Sequence, residues 1–160
     1  MPTDHDLVTN VDASSSGIAT ARAFVDAFNA QDHEALADTL NYPHVRLAND
    51  RFTTIESRDD FITRSRRGKE YLEAEGWHHT IIGSIEVIHG SHDKVHMALG
   101  IDRCREDGSV YNHFDTLWIA TLQNKHWGIQ FRFSTPSTRY LRVQRSRGAA
   151  QRGAVRREWP

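Results

Sequence analysis

The chain is expected to fold as α+β, with a cone-shaped, curved antiparallel or mixed β-sheet wrapped around three N-terminal helices. Three observations predict this. Helical periodicity is confined to the first half, in Gly17–Leu40 and in a stretch opened by Ser57. Four long runs rich in Ile, Val, Thr and aromatic residues follow, with short turn signals between them. Helices grouped ahead of a meander, rather than alternating with strands, pack on one face of an antiparallel sheet.

Residues 1–13 are polar and read as a loose arm. Ile18, Ala21, Phe24, Val25 and Phe28 then recur at three- and four-residue steps, which makes one buried helical face. A break at Asn29–Gln31 precedes Asp32, an N-cap for a second helix with Ala35, Leu36 and Leu40 inside. Pro43–Asn49 alternates Val45 and Leu47 against polar neighbours, a short strand, and Phe52–Ile55 is another. Ser57-Arg58-Asp59-Asp60 reads as a capping box for a third helix, carrying Phe61, Ile62, Tyr71 and Leu72 and ending near Gly76. Strands follow at Trp77–Ile88, Lys94–Arg105, Ser109–Gln123 and His126–Thr135. Turns are marked at Gly90–Asp93, Asp107–Gly108 and Asn124–Lys125. Residues 14–136 thus form one domain, and the Arg-rich segment 137–160 is expected to be a disordered tail.

The net charge of −1 hides an asymmetry. Residues 1–135 hold 13 Lys/Arg against 20 Asp/Glu, about −7, whereas 136–160 hold seven Arg against Glu158, about +6. The basic tail lacks interleaved aromatics, so nucleic acid is limited to nonspecific contacts. No apolar run is long enough for a membrane span, and the N-terminus lacks the basic start and apolar centre of a signal peptide. A lone cysteine, Cys104, fits a reducing cytoplasm. Ten histidines raise the question of a metal, but no HExxH or paired-cysteine motif occurs, and the adjacent His78 and His79 should point to opposite strand faces. P-loop, dinucleotide and nucleophile-elbow motifs are also missing, so no metal and no cofactor are expected.

Three phrases carry a resemblance: FVDAFNAQDHEALADTL in the opening helices, NYPHVRL in the first strand, and DTLWIATLQNKHWGIQFRFS in the closing hairpin. The chain resembles the nuclear transport factor 2-like superfamily, more narrowly its SnoaL-like branch, over Gly17–Thr135. The resemblance implies a cystatin-like cone with a pocket in its mouth and typically a homodimer across the sheet. Members include isomerases, dehydratases, cyclases, epoxide hydrolases and pure binding proteins, so the fold does not choose a function.

Pocket chemistry of such enzymes calls for a shielded carboxylate base with a charge-stabilising partner. A two-residue Asn124–Lys125 turn would put Leu122 opposite Trp127, Ala120 opposite Ile129, Trp118 opposite Phe131 and Thr116 opposite Phe133, on one apolar face. Tyr111, His113, Asp115 and Arg132 would share the other face. A two-residue Asp107–Gly108 turn adds Asp102 and Cys104 to the face of His113; a three-residue turn with a bulge adds Arg103 instead. The catalytic candidates are therefore Asp115 as base, Arg132 or Arg103 as its electrostatic partner, and His113 as relay. Tyr111, Trp118, Phe131 and Phe133 are candidates for ligand contact. The expected function is binding of a small hydrophobic molecule by a homodimer. The alternatives are cofactor-free catalysis through Asp115, or a non-catalytic protein-interaction module.

Overall fold

Six strands, Leu40–Ala48 (β1), Arg51–Ile55 (β2), His79–Gly90 (β3), Lys94–Cys104 (β4), Val110–Gln123 (β5) and His126–Ser134 (β6), form one sheet in the order β2-β1-β6-β5-β4-β3. All neighbours are antiparallel except β1 and β6, which run parallel. The helices are Asp4–Ala30 (α1), His33–Asp38 (α2), Arg58–Glu75 (α3) and Thr138–Gln151 (α4). This computed structural model describes the backbone of residues 4–151 and most side chains between 12 and 149.

The helix signals act as their chemistry dictates. The Asp32 carboxylate accepts from the Ala35 amide at 3.0 Å, and Ser57 Oγ accepts from the Asp60 amide at 3.2 Å. Asp60 does not close a reciprocal capping box; it pairs with Arg64 at 2.9 Å, one turn along. Gly76 ends α3 at φ +77°, a left-handed cap that glycine adopts without strain.

Two terminal expectations are corrected. The arm expected over 1–13 is helical from Asp4, because α1 continues well ahead of Gly17 and buries Ala13 in the core. The tail expected to be disordered from 137 opens as α4, whose start is fixed by the Ser137 hydroxyl accepting from the Tyr140 amide at 3.1 Å. Residues 1–3 and 152–160 lie outside the described residues.

α1 lies across the concave face of the sheet. Its Ala21, Phe24 and Val25 pack with Val95, Met97, Leu99 and Ile101 from β4, Trp118 and Ala120 from β5, and Ile129 from β6. Gly17 permits the close approach: a Cβ there would sit 2.9 Å from the Val95 side chain. A clasp fixes the other end of α1, where Asn29 Nδ2 donates to the Thr80 carbonyl and Thr80 N–H donates to Asn29 Oδ1, both at 2.8 Å.

Register decides which side chains enter the cone. β5 and β6 pair as expected at Leu122/Trp127 and Ala120/Ile129, but a bulge then makes Ile119 face Phe131 and Trp118 face Arg132. The extra residue is Gln130, whose amide is held by Thr121, Gln123 and the Pro43 carbonyl. The slip exchanges the faces, so Arg132 joins Trp118 on the concave side while Phe131 and Phe133 move to the convex side. Across β4 and β5, a three-residue turn with Gly108 at φ +83° is followed by a second irregularity, and Asp102 pairs with His113 while Arg103 pairs with Asn112.

Candidate functional site

The hollow between α1, α3 and the concave sheet comprises three adjoining lobes of about 390, 270 and 50 Å³, all bordered by Arg46 and Arg103. The largest is bounded by Phe28, Leu36, Ile55, Phe61 and Leu72; the second lies beneath the start of α4, at Ser137 and Tyr140. The smallest, between Phe24, Ile101, Phe114 and Trp118, is where Arg132 enters. Mixed apolar walls with a few convergent polar groups are the ordinary make-up of a small-molecule site.

Three arginines converge here. Arg46 and Arg132 are register partners on the parallel strands β1 and β6. Arg132 Nε donates to His44 Nε2 at 3.0 Å, and its guanidinium carbon lies 4.7 Å from the centre of the Phe24 ring and 6.0 Å from that of Trp118. His44 is fully buried, and its Nδ1 lies 3.0 Å from the Ile129 carbonyl. A carbonyl can only accept and a guanidinium N–H can only donate, so His44 is neutral with its proton on Nδ1. Burial first, then Arg132, lowers its pKa to about 3. Burial, with Arg46 and Arg103 adding repulsion, lowers the Arg132 pKa to about 9, which leaves the group charged at neutral pH.

Arg46 is lowered in the same way, by burial and then by Arg103. Arg46 is nonetheless an exposed residue, and it borders all three lobes. Arg103 is answered by a carboxylate: it donates to Glu75 Oε2 at 3.2 Å, and the Tyr111 hydroxyl donates to the same oxygen at 3.0 Å. Among the described residues no carboxylate lies within ion-pair distance of Arg46 or Arg132, and Glu75 is the one acid among the residues bordering the three lobes.

The sequence-derived candidates divide between the faces. Arg132, Arg103 and Trp118 border the hollow, as a pocket role requires. Asp115 does not. Its side chain is 73% exposed on the convex face and sits 3.3 Å from His113 Nε2. The Gln130 bulge separates it from Arg132, so the expected pairing of the two is corrected. His113 is also convex, with Nδ1 at 2.6 Å from Asp102; that hydrogen bond is the chief cause of its raised pKa. Neither residue can act as base or relay inside the cone. Phe131 and Phe133 lie against each other on the convex face, tilted with ring centres 6.0 Å apart, and are corrected as pocket contacts. Tyr111 serves the site through Glu75 rather than by bordering a lobe. The expectation that His78 and His79 diverge also fails: β3 begins only at His79, and their rings meet 5.2 Å apart. Among the described residues no group of three or more His, Cys, Asp or Glu side chains is placed to hold a metal ion.

Arg46, His44 and Glu75 were not singled out by the sequence reasoning. The alternation in Pro43–Asn49 did carry the signal for the first two, because residues 44 and 46 share the face opposite Val45 and Leu47.

Comparison with known proteins agrees with this architecture. Residues 18–136 match the family described as NTF2-like protein (DUF6841). The chain belongs to this NTF2-like family. No curated protein matches it. Among solved structures, an NTF2-like protein with a cystatin-like fold from Novosphingobium aromaticivorans is similar at TM-score 0.63 and 15% identity, covering 84% of this chain and 90% of that one. A ketosteroid isomerase-like protein from Erwinia carotovora atroseptica matches at TM-score 0.59 and 16% identity, over 78% of this chain and 95% of that one. A cystatin-like domain of unknown function from Nostoc punctiforme matches at TM-score 0.59 and 14% identity, over 89% and 98%. At these identities the likeness concerns the fold, and the NTF2-like cone, consistent with the SnoaL-like resemblance, is the shared feature.

Proposed function

We propose that this NTF2-like protein binds a small, largely apolar organic molecule inside the cone. The observation that carries the reading is the run of three adjoining lobes under α1, α3 and the start of α4, walled by Phe24, Phe28, Phe61, Phe114 and Trp118. Catalysis by Asp115 is not retained, since that carboxylate lies on the opposite side of the sheet. Gly68 supplies the test. It borders the largest lobe from α3, and a Cβ built on it meets nothing within 4 Å. Gly68→Trp should therefore occupy the lobe without straining the helix. A thermal-shift screen with aromatic and polycyclic compounds should find ligands that raise the midpoint of the native chain and lose that effect in Gly68→Trp. Compounds that shift both proteins equally would place binding elsewhere.

A homodimer in a reducing cytoplasm is proposed with it. Cys104 is a buried free thiol, which suits such a compartment. Register aligns Phe52, Leu47, Phe133, Leu117, Ala98 and Glu86 as one row across all six strands of the convex face, with Phe52 67% and Leu47 40% exposed. A row that is apolar from Phe52 to Ala98 and charged only at Glu86 suits a twofold interface. Phe133→Glu should halve the mass seen by sedimentation equilibrium; an unchanged mass would move the interface or remove it. Among the described residues no helix is long and apolar enough to cross a membrane.

A further inference from the structure

We infer that the molecule held in the cone is an organic oxyanion, a carboxylate or phosphate monoester on an apolar body, whose head sits between Arg46 and Arg132. The inference rests on the proposed ligand-binding role of the cone and adds the chemistry of its occupant. The charge balance of the hollow is its first support. Five arginines, Arg46, Arg51, Arg64, Arg103 and Arg132, border it against Glu75 alone, and Glu75 is already engaged by Arg103 and Tyr111. Over 1–135 acidic residues outnumber basic ones by seven, so this concentration of positive charge runs against the trend of the body.

The second support is how Arg132 is held. A partly buried guanidinium with no carboxylate partner loses hydration without a compensating charge, and an apolar side chain in its place would remove that cost. The fold instead gives it a neutral acceptor, His44, and two aromatic faces, Phe24 and Trp118. A neutral acceptor orients the guanidinium through Nε and leaves its charge uncancelled. Its two terminal nitrogens then present the planar fork that matches an oxyanion. His44 is in this sense a positioning residue, fixed by the Ile129 carbonyl on its far side. Arg46, the register partner on the solvent-open side of the same wall, supplies a second cation to the same head. Beyond the head, the lobe between α1 and α3 is lined by Phe28, Leu36, Ile55, Phe61 and Leu72, which suits a flat apolar body.

The full chain should be titrated by calorimetry with 2-naphthoate, 2-naphthyl phosphate and the neutral 2-naphthamide. At least one oxyanion is expected to bind ten-fold or more tighter than the amide, and the two oxyanions decide between carboxylate and phosphate. Arg46→Gln and Arg132→Gln should each remove that advantage while leaving amide binding in place. Arg46→Gln keeps the test available if Arg132→Gln does not fold. Amide binding as tight as that of both oxyanions would overturn the anion assignment and leave the cone-binding role standing. Binding of none of the three would count against both. An oxyanion preference that survives both arginine substitutions would refute the placement of the head.

Discussion

His44 makes the stability of this fold depend on pH in a way that can be worked out in advance. The imidazole is fully buried and neutral, with its pKa lowered to about 3 from an ordinary 6.5 by burial first and then Arg132, opposed by the hydrogen bond to Ile129, with Arg46 lowering it least. The unfolded chain takes up a proton at this position below pH 6.5, and the folded chain does not until near pH 3. Stability is therefore full above 6.5 and is lost as the pH falls toward 3. At pH 4.5 the difference is two pH units at about 1.4 kcal/mol each, roughly 2.7 kcal/mol lost at this one residue. Carboxylates add their own acid sensitivity. His113 acts in the opposite sense, since its raised pKa contributes stability at low pH that disappears as pH rises through it. His44→Gln isolates the effect. It keeps a neutral acceptor for Arg132 and a donor for Ile129, cannot be protonated, and leaves every other titrating group in place. Urea unfolding of both proteins from pH 7.5 to 4.5 should show wild type losing about 2.7 kcal/mol more than the variant, whatever their difference at neutral pH. Curves that stay parallel to within about 0.5 kcal/mol would refute the buried neutral imidazole and, with it, the fixed acceptor for Arg132.

Gly128→Ala should destabilise strongly, because an added Cβ would lie 2.6 Å from the Leu40 carbonyl carbon and 2.7 Å from the Asn41 nitrogen. Backbone cannot yield cheaply there, so a loss of about 3 kcal/mol is expected in urea unfolding, and a loss under about 1 kcal/mol would contradict the close approach of β1 and β6. Asp115→Asn removes only an exposed ion pair and should change stability by less than about 0.5 kcal/mol and ligand affinity not at all. NMR titration of His113 should show its raised pKa falling toward the ordinary value in Asp102→Asn, and by less in Asp115→Asn.

The architecture was legible because its signals are local. Asp32 and Ser57 cap helices by their own side chains, Gly76 closes α3, and the α1 periodicity places Ala21, Phe24 and Val25 inward. The site was legible only in part because it depends on long-range register. Pairing counted outward from Asn124–Lys125 is right as far as Ala120 and Ile129. Gln130 then bulges, satisfied by Thr121, Gln123 and Pro43, and those partners are distant in sequence. From there Arg132 and Phe131 exchange sides, and Asp115 is parted from Arg132. Polarity misled at β1. Val45 and Leu47 were read as its apolar face, which is true, but that face is convex, and the polar face holding His44 and Arg46 turns into the cone.

The most direct test of ligand binding inside the cone is an NMR titration of the isotope-labelled full chain with 2-naphthoate. Val25 and Ile101 methyls and the Nε–H of Arg132 report on the smallest lobe, while Leu47 and Leu117 methyls report on the convex face. Binding in the cone predicts saturable shifts at Val25, Ile101 and Arg132 with Leu47 and Leu117 unmoved. Shifts confined to Leu47 and Leu117, or none at saturating probe, would contradict it.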